Sequence, residues 1–201
     1  MEQVEPVEPS ICIDCSMCCD GTMYRTVDIE AGEDIAPLQA AAVAFTVEAE
    51  LTSFLQPCSA FCHGSCSIYD GRPSVCRKYR CALLRRVDAG EVAYDEARKL
   101  IANATAIRDR VRHELERLVQ PQEPLALDGL YKPMFARWES ATDRAAMKKA
   151  QSRLILDITA LRVLLSRYFE PRDSESHKAE ETKNLATKFI DFHVIDFHGQ
   201  R

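Results

Sequence analysis

Glycine is scarce in this sequence. Only seven occur in 201 residues, and none forms the glycine-rich run of a P-loop or a G-x-G-x-x-G turn that would cradle a nucleotide phosphate. Nine prolines and so few glycines also exclude collagen-like and low-complexity chains. No apolar run approaches the roughly 18 residues that a bilayer crossing needs, so no membrane is expected among the partners. No H-E-x-x-H, serine nucleophile elbow or paired-carboxylate arrangement is visible. The first ten residues, MEQVEPVEPS, lack the basic start and apolar stretch of a secretory signal, and a cytoplasmic location is expected. Cysteine is absent from the last 120 residues, and Arg25 is the single basic side chain before Arg72.

What the chain does contain is sharply segregated. Hydrophobic residues make up 46%, enough for a sizeable core. All nine cysteines lie between Cys12 and Cys81. An odd number, bunched in one third of a chain without an export signal, argues against a disulfide framework and for metal ligation. Charge divides at nearly the same point: residues 1–71 carry −11 and the remainder +6. The change is abrupt, since residues 72–86 hold Arg72, Arg77, Lys78, Arg80, Arg85 and Arg86 without an acid. A basic run could bind nucleic acid, yet interleaved aromatics and a recognition motif are lacking, so nucleic acid is not expected as a partner. The preferred reading is neutralisation: four thiolates on Zn²⁺ or on a [4Fe–4S] core leave negative charge. Arg72, Arg77 and Arg80 then stand close enough to donate to sulfur.

The fold class expected is mainly α, with an irregular metal-stapled segment packed against long helices. Residues 1–11 read as a flexible tail, 12–89 as the cysteine-cluster domain, 90–171 as a helical region covering it, and 172–201 as a charged linker with a terminal segment. Ile35, Leu38, Ala42, Phe45, Ala49 and Phe54 suggest a first helix over about 32–55, ended by Pro57. A clear stripe predicts a helix over Tyr94–Leu118. A loop is expected over 122–136, then one long helix from about Ser140 to Phe169. Its Leu154, Ile158, Leu161, Leu165 and Tyr168 form a short seam read as core and not as an oligomer contact. The sequence assigns no oligomeric state. The repeat Asp191-Phe192-His193 and Asp196-Phe197-His198 reads more readily as a terminal segment than as a ligand set.

Cys12-x₂-Cys15-x₂-Cys18-Cys19 is the most specific feature. Two-residue spacers turn successive sulfurs toward one centre, as in zinc knuckles and as in ferredoxin-type cubane sites. Neighbouring Cys18 and Cys19 diverge, which implies a second centre or a bridge. Cys58-x₇-Cys66-x₉-Cys76-x₄-Cys81 supplies four more thiols, with Cys62 as an extra one. Eight thiols suffice for two four-thiolate sites, or for one cluster with additional thiols around it.

With Cys66-Ser67-Ile68-Tyr69-Asp70-x-Arg72-Pro73-x-x-Cys76-Arg77-x-Tyr79-x-Cys81 following, residues 11–83 closely resemble the YkgJ-type CxxCxxCC family. That family is described as a zinc- or iron-chelating domain, and some members are called Fe–S proteins. The resemblance implies that Cys12, Cys15, Cys18, Cys19, Cys58, Cys66, Cys76 and Cys81 are metal ligands and leaves Cys62 outside the pattern. Ser16 stands where the family often has glycine. The implied cofactor is an Fe–S cluster, [4Fe–4S] ahead of other forms, or Zn. The function expected is a metal-centre protein whose partners are metal ions, with the helical half offering a surface to a protein partner. The alternative is a metal-dependent protein-modifying or redox enzyme, since a related cysteine domain occurs in flagellin lysine N-methylase. Whether the chain is an enzyme stays open at this level.

Overall fold

The computed structural model describes residues 10–48, 51–62 and 64–171. The terminal Asp-Phe-His repeat and His63 lie outside the described residues. Helices dominate, as the sequence suggests. α1 (Ile11–Cys15) opens the chain, followed by β1 (Thr26–Ile29), α2 (Ala36–Ala40), β2 (Phe45–Glu48), β3 (Leu51–Leu55) and the two-residue strands β4 (Phe61–Cys62) and β5 (Ser65–Cys66). α3 (Ser74–Lys78), α4 (Ala82–Asp88), α5 (Tyr94–Val119), α6 (Leu127–Ser140), α7 (Arg144–Ala150) and α8 (Ser152–Leu164) follow, and a π-helical turn over Leu165–Phe169 ends the series.

The helix expected over 32–55 is replaced by α2 and a hairpin. β3 is central in an antiparallel sheet of order β1-β3-β2, with Val27 and Phe45 both opposite Phe54. The run Phe45-Thr46-Val47 and the run Leu51-Thr52-Ser53-Phe54 are rich in β-branched and aromatic residues, which suit a pleated, half-buried surface. α2 stops where Ala42 takes a positive φ of 54°, a conformation that does not propagate a right-handed helix. The apparent stripe joined Leu38 of α2, Phe45 of β2 and Phe54 of β3; its Ala49 lies outside the described residues.

α5 matches its expected span to within a residue. Ala97, Ile101, Ala104, Ile107, Val111 and Leu115 are buried along one side. Asp95 and Glu96 in the first turn and Arg117 in the last oppose the helix dipole favourably. Gln120 closes the helix in the left-handed region, and Pro121 follows.

The expected loop over 122–136 and the single helix over 140–169 both need correction. Leu127, Leu130, Met134 and Trp138 are buried at helical spacing along α6, which accommodates Pro133 in its interior. The expected 140–169 helix is instead α7, α8 and the π turn, with a break at Gln151. Asp143 caps α7, its carboxylate accepting from the Ala146 N–H at 2.8 Å, and Gln151 accepts from the Trp138 indole before α8 begins. In the seam, Leu154, Ile158, Leu161 and Leu165 are buried as expected, but Phe169 takes the next inward place. One extra residue in the π turn advances the register past Tyr168.

Two cores result. The larger joins α4, α5, α6 and α8 with Ile11 and Met17 of the cysteine loop, and Cys12, Cys15 and Cys81 pack against it. The smaller consists of Ile29, Leu38, Val43, Phe54 and Ala60, with Cys58 and Cys76 against it. Among the described residues, no helix is long and apolar enough to cross a membrane.

Candidate metal centre

The cysteine loop is shaped by short-range backbone rules. Ser10 caps α1 by accepting from the Cys12 N–H. Ser16 then reverses the chain at φ 55°, which explains why glycine suits this position so well. Its carbonyl accepts from the N–H groups of Cys19 and Asp20, so Cys15 and Cys18 lie on either side of one tight turn. Gly21 follows at φ 78°; a Cβ there would sit 2.7 Å from the Ala126 Cα. Backbone bonds tie the loop outward: Cys58 donates to the Cys19 carbonyl at 3.0 Å and Leu127 to that of Gly21 at 2.8 Å.

α5 holds the loop by charge. Arg98 reaches Asp14, Arg108 forms a largely buried pair with Asp20, and Arg112 donates to the Asp20 carbonyl at 2.8 Å. Arg108 and Arg112 are one helical turn apart, so a single face of α5 grips the residue that follows the Cys18-Cys19 pair.

Cys12, Cys15, Cys18, Cys19, Cys58, Cys66, Cys76 and Cys81 all line one cavity of about 410 Å³. Cys62 does not line it and is exposed. All nine cysteines are free of disulfides. The eight lining cysteines are half-buried.

The cavity has two electrostatic neighbourhoods. Cys15 feels Cys81 and Cys12; Cys18 feels Cys15, Cys81 and Cys12; and Cys81 feels Cys12. Cys19 instead feels Cys76, Cys66 and Cys58, and Cys76 feels Cys58 and Cys66. Between the sets, the notable coupling is that of Cys18 with Cys19, its neighbour in sequence. The two sets also face different cores, as the packing of Cys12, Cys15 and Cys81 against one and of Cys58 and Cys76 against the other requires.

Burial, reinforced by neighbouring thiols, pushes Cys15 and Cys19 up to about 12 and Cys76 up to about 11. It pushes Cys18, Cys58 and Cys81 upward as well. Without a cation these thiols therefore hold their protons at neutral pH. A bound metal reverses that balance, because thiolate charge is then neutralised where it forms. Backbone N–H groups are already placed for it. Met17 serves Cys15, Ala60 and Phe61 serve Cys58, and Leu84 donates to the Cys81 sulfur at 3.4 Å.

Of the expected basic neighbours, Arg72 reaches the site. It lines the cavity, acts electrostatically on Cys76, donates to the Tyr69 carbonyl at 2.6 Å and lies over the Tyr69 ring. Arg77 faces Glu33, and Arg80 faces Asp88 and the carbonyls of Arg77 and Tyr79. With Lys78 on Glu30 and Arg86 on Glu91, much of the basic run is neutralised by surface carboxylates.

Three lining residues were not among the expected site residues, although Tyr79 stands within the Cys76–Cys81 motif. Tyr24 and Tyr79 join hydroxyls at 2.6 Å, and the buried Gln56 carboxamide oxygen has no partner among the described residues. Among the described residues, no three His, Cys, Asp or Glu side chains form a closed ligand set around a single point. The sulfurs frame a space. Their donor chemistry suits iron or zinc: free thiols, N–H support and apolar walls.

Residues 11–106 match the family model CxxCxxCC, whose description reads "Putative zinc- or iron-chelating domain". This segment is similar to that domain. The match runs beyond the cysteines into the first half of α5, which supplies Ile101 to the cavity wall and seats α1. The matched segment thus includes the start of α5 with Arg98, while Arg108 and Arg112 lie just beyond it. No curated protein and no solved structure matches the chain.

Proposed function

We propose that this cysteine-rich segment holds two iron–sulfur clusters. One is carried by Cys12, Cys15, Cys18 and Cys81, the other by Cys19, Cys58, Cys66 and Cys76. The observation that carries this reading is the gathering of eight thiols around one cavity between two cores, with Cys12, Cys15 and Cys81 against the larger and Cys58 and Cys76 against the smaller. A single zinc ion draws four sulfurs to about 2.3 Å from one point. A cavity of about 410 Å³ framed by sulfurs favours a polynuclear core over two closed zinc knuckles.

When bound, such clusters accept and release single electrons. The chain's own residues do the rest. The turn at Ser16 presents Cys15 and Cys18 from opposite sides, α4 offers its first N–H groups to Cys81, and Arg72 offsets charge near Cys76. Met17, Leu38, Phe54, Leu83 and Phe169 wall the space against water, and in such a low-dielectric site each donor to sulfur has a large influence on potential.

Anaerobic purification followed by iron, zinc and acid-labile sulfide analysis and an absorbance spectrum tests the proposal. Brown protein with iron and sulfide in equal amounts is expected. Colourless protein with two zinc ions per chain would replace the metal while keeping the two groups of four. Protein that binds neither iron nor zinc would remove the reading altogether.

A further inference from the structure

We propose that residues 189–195, Phe189-Ile190-Asp191-Phe192-His193-Val194-Ile195, add as a fourth strand along the open edge of β2. The proposal goes beyond the metal centre and holds whichever metal the cysteines take.

The edge comes first. In the order β1-β3-β2, two strands are terminal. α3 covers β1: it packs against that strand, and its Lys78 and Ser74 reach Glu30 and Glu33 just beyond it. β2 pairs with β3 on one side, and among the described residues its backbone makes no hydrogen bond on the other. Phe45 lies opposite Phe54 and so shares its core-facing side, as does Val47 two places on. Phe54 is 1% exposed but Val47 is 68% exposed, so the small core of Ile29, Leu38, Val43, Phe54 and Ala60 stops short of it. Proteins blunt a bare strand edge with Pro, Lys, a bulge or a covering chain. Phe45-Thr46-Val47-Glu48 has neither Pro nor Lys and pairs in continuous register, without a bulge.

The chain's own continuation fits this edge. Ile190, Phe192 and Val194 alternate strictly with Asp191 and His193, the pattern of a strand with one apolar face. No Gly or Pro occurs between Arg172 and His198 to interrupt it. Laid beside β2, the three apolar side chains cover Val47 and extend the small core, while Asp191 and His193 stand on the side of Thr46 and Glu48. Reach is ample. The last described element ends at Phe169, which lines the same cavity as Thr26 and Val27 of β1. From β1 the outer side of β2 is three strand spacings away, about 14 Å, and the 18 residues from Arg172 to Phe189 span up to about 60 Å. Charge agrees as well: the edge carries Glu48, followed in sequence by Glu50, whereas Lys183 and Lys188 precede the segment. A second copy would bring the same acidic edge against itself.

The test uses the full chain, purified anaerobically, as wild type, Phe192→Asp and Val47→Lys. Hydrogen exchange is read by mass spectrometry over residues 45–48 and 189–195, and molar mass by light scattering. Circular dichroism and metal content establish that each variant is folded and loaded; if one is not, the other decides. Both stretches are expected to be protected in the wild type, with the mass of a single chain. Phe192→Asp is expected to speed exchange over 45–48, and Val47→Lys over 189–195, each by at least about tenfold. Metal content should stay the same while these rates move, which separates the result from the metal reading. Free exchange of 189–195 in the wild type overturns the proposal. Protection of 189–195 that Val47→Lys leaves intact also overturns it, because the segment then docks elsewhere. A doubled mass, with protection over 45–48 that rises with protein concentration, overturns it in favour of an edge shared by two copies.

Discussion

Replacing Arg108 by methionine tests how α5 holds the cysteine loop. The Arg108 and Asp20 side chains are each 12% exposed, so the pair is screened little by solvent. Asp20 is also the anchor of its own turn, accepting from the Thr22 N–H at 2.8 Å. Methionine preserves the apolar stem of Arg108 and leaves the carboxylate buried without its counter-charge. Breaking a buried pair from one side costs about 3–5 kcal/mol. Arg98 and Asp14 provide the control, since their side chains are 58% and 42% exposed, and an exposed pair contributes about 1 kcal/mol or less. Urea unfolding of the metal-loaded proteins should place Arg108→Met at about 3–5 kcal/mol and Arg98→Met near wild type. Adding Asp20→Asn to Arg108→Met should restore part of the loss, because it removes the stranded charge. Asp20 follows Cys19 directly, so Arg108→Met should also release metal faster to a chelator. Arg108→Met within about 0.5 kcal/mol of Arg98→Met, with unchanged release, would refute the clamp.

Three further outcomes are expected. Gly21→Ala forces a side chain into a positive-φ position against the Ala126 backbone and should cost at least about 2 kcal/mol; denaturant midpoints check this. Asp157 accepts from Arg110 and Arg153, and those bonds hold its carboxyl below the ordinary range. Its contribution is present above the unfolded carboxyl pKa and lost as pH falls through the lower folded value. Asp157→Asn should therefore cost about 1 kcal/mol at pH 7 and nothing once the wild-type carboxyl is protonated, as read from unfolding curves at both pH values. Cys62→Ser should leave metal content unchanged, whereas Cys58→Ser should lose part of it, measured by elemental analysis.

The parts of the fold that the sequence discloses are those with one periodic pattern and one partner face. α5 is legible because six buried residues repeat along it between a charged first turn and Pro121. The 32–55 segment misleads because apolar residues of a strand pair and a short helix happen to fall at helical spacing, and cross-strand contacts decide the outcome. Tyr168 and Phe169 exchange places through a single inserted residue that spacing cannot foresee. At the site, spacing marks the eight cavity thiols and sets Cys62 aside, as the cavity lining does. Which thiols share a neighbourhood depends on long-range relations without a local signature, such as that of Cys81, the N-cap of α4, with Cys12. Arg77 and Arg80 looked equivalent to Arg72 in sequence, but Glu33 and Asp88 reach them first.

The adjacent pair Cys18-Cys19 offers the sharpest test of the grouping. Side chains of neighbouring residues on an irregular turn diverge, and here Cys18 interacts electrostatically with Cys15, Cys81 and Cys12 besides Cys19 itself, while Cys19 interacts with Cys76, Cys66 and Cys58. Serine at either position removes one thiolate with almost no change in volume. If the two groups are separate centres, Cys18→Ser should resemble Cys81→Ser in metal content and spectrum, although those residues are far apart in sequence. Cys19→Ser should resemble Cys76→Ser instead. The cores sharpen the contrast. Loss of the first centre loosens a loop still packed on α5, whereas loss of the second loosens the sheet around Phe54, whose core contains only five buried residues. Far-ultraviolet circular dichroism should therefore keep most of its helical signal in all four variants, and proteolysis should cut the 26–66 region faster in Cys19→Ser and Cys76→Ser. If Cys18→Ser and Cys19→Ser instead behave alike and both differ from Cys81→Ser and Cys76→Ser, the two sulfurs serve one centre, and the division of the cavity into two groups of four is wrong.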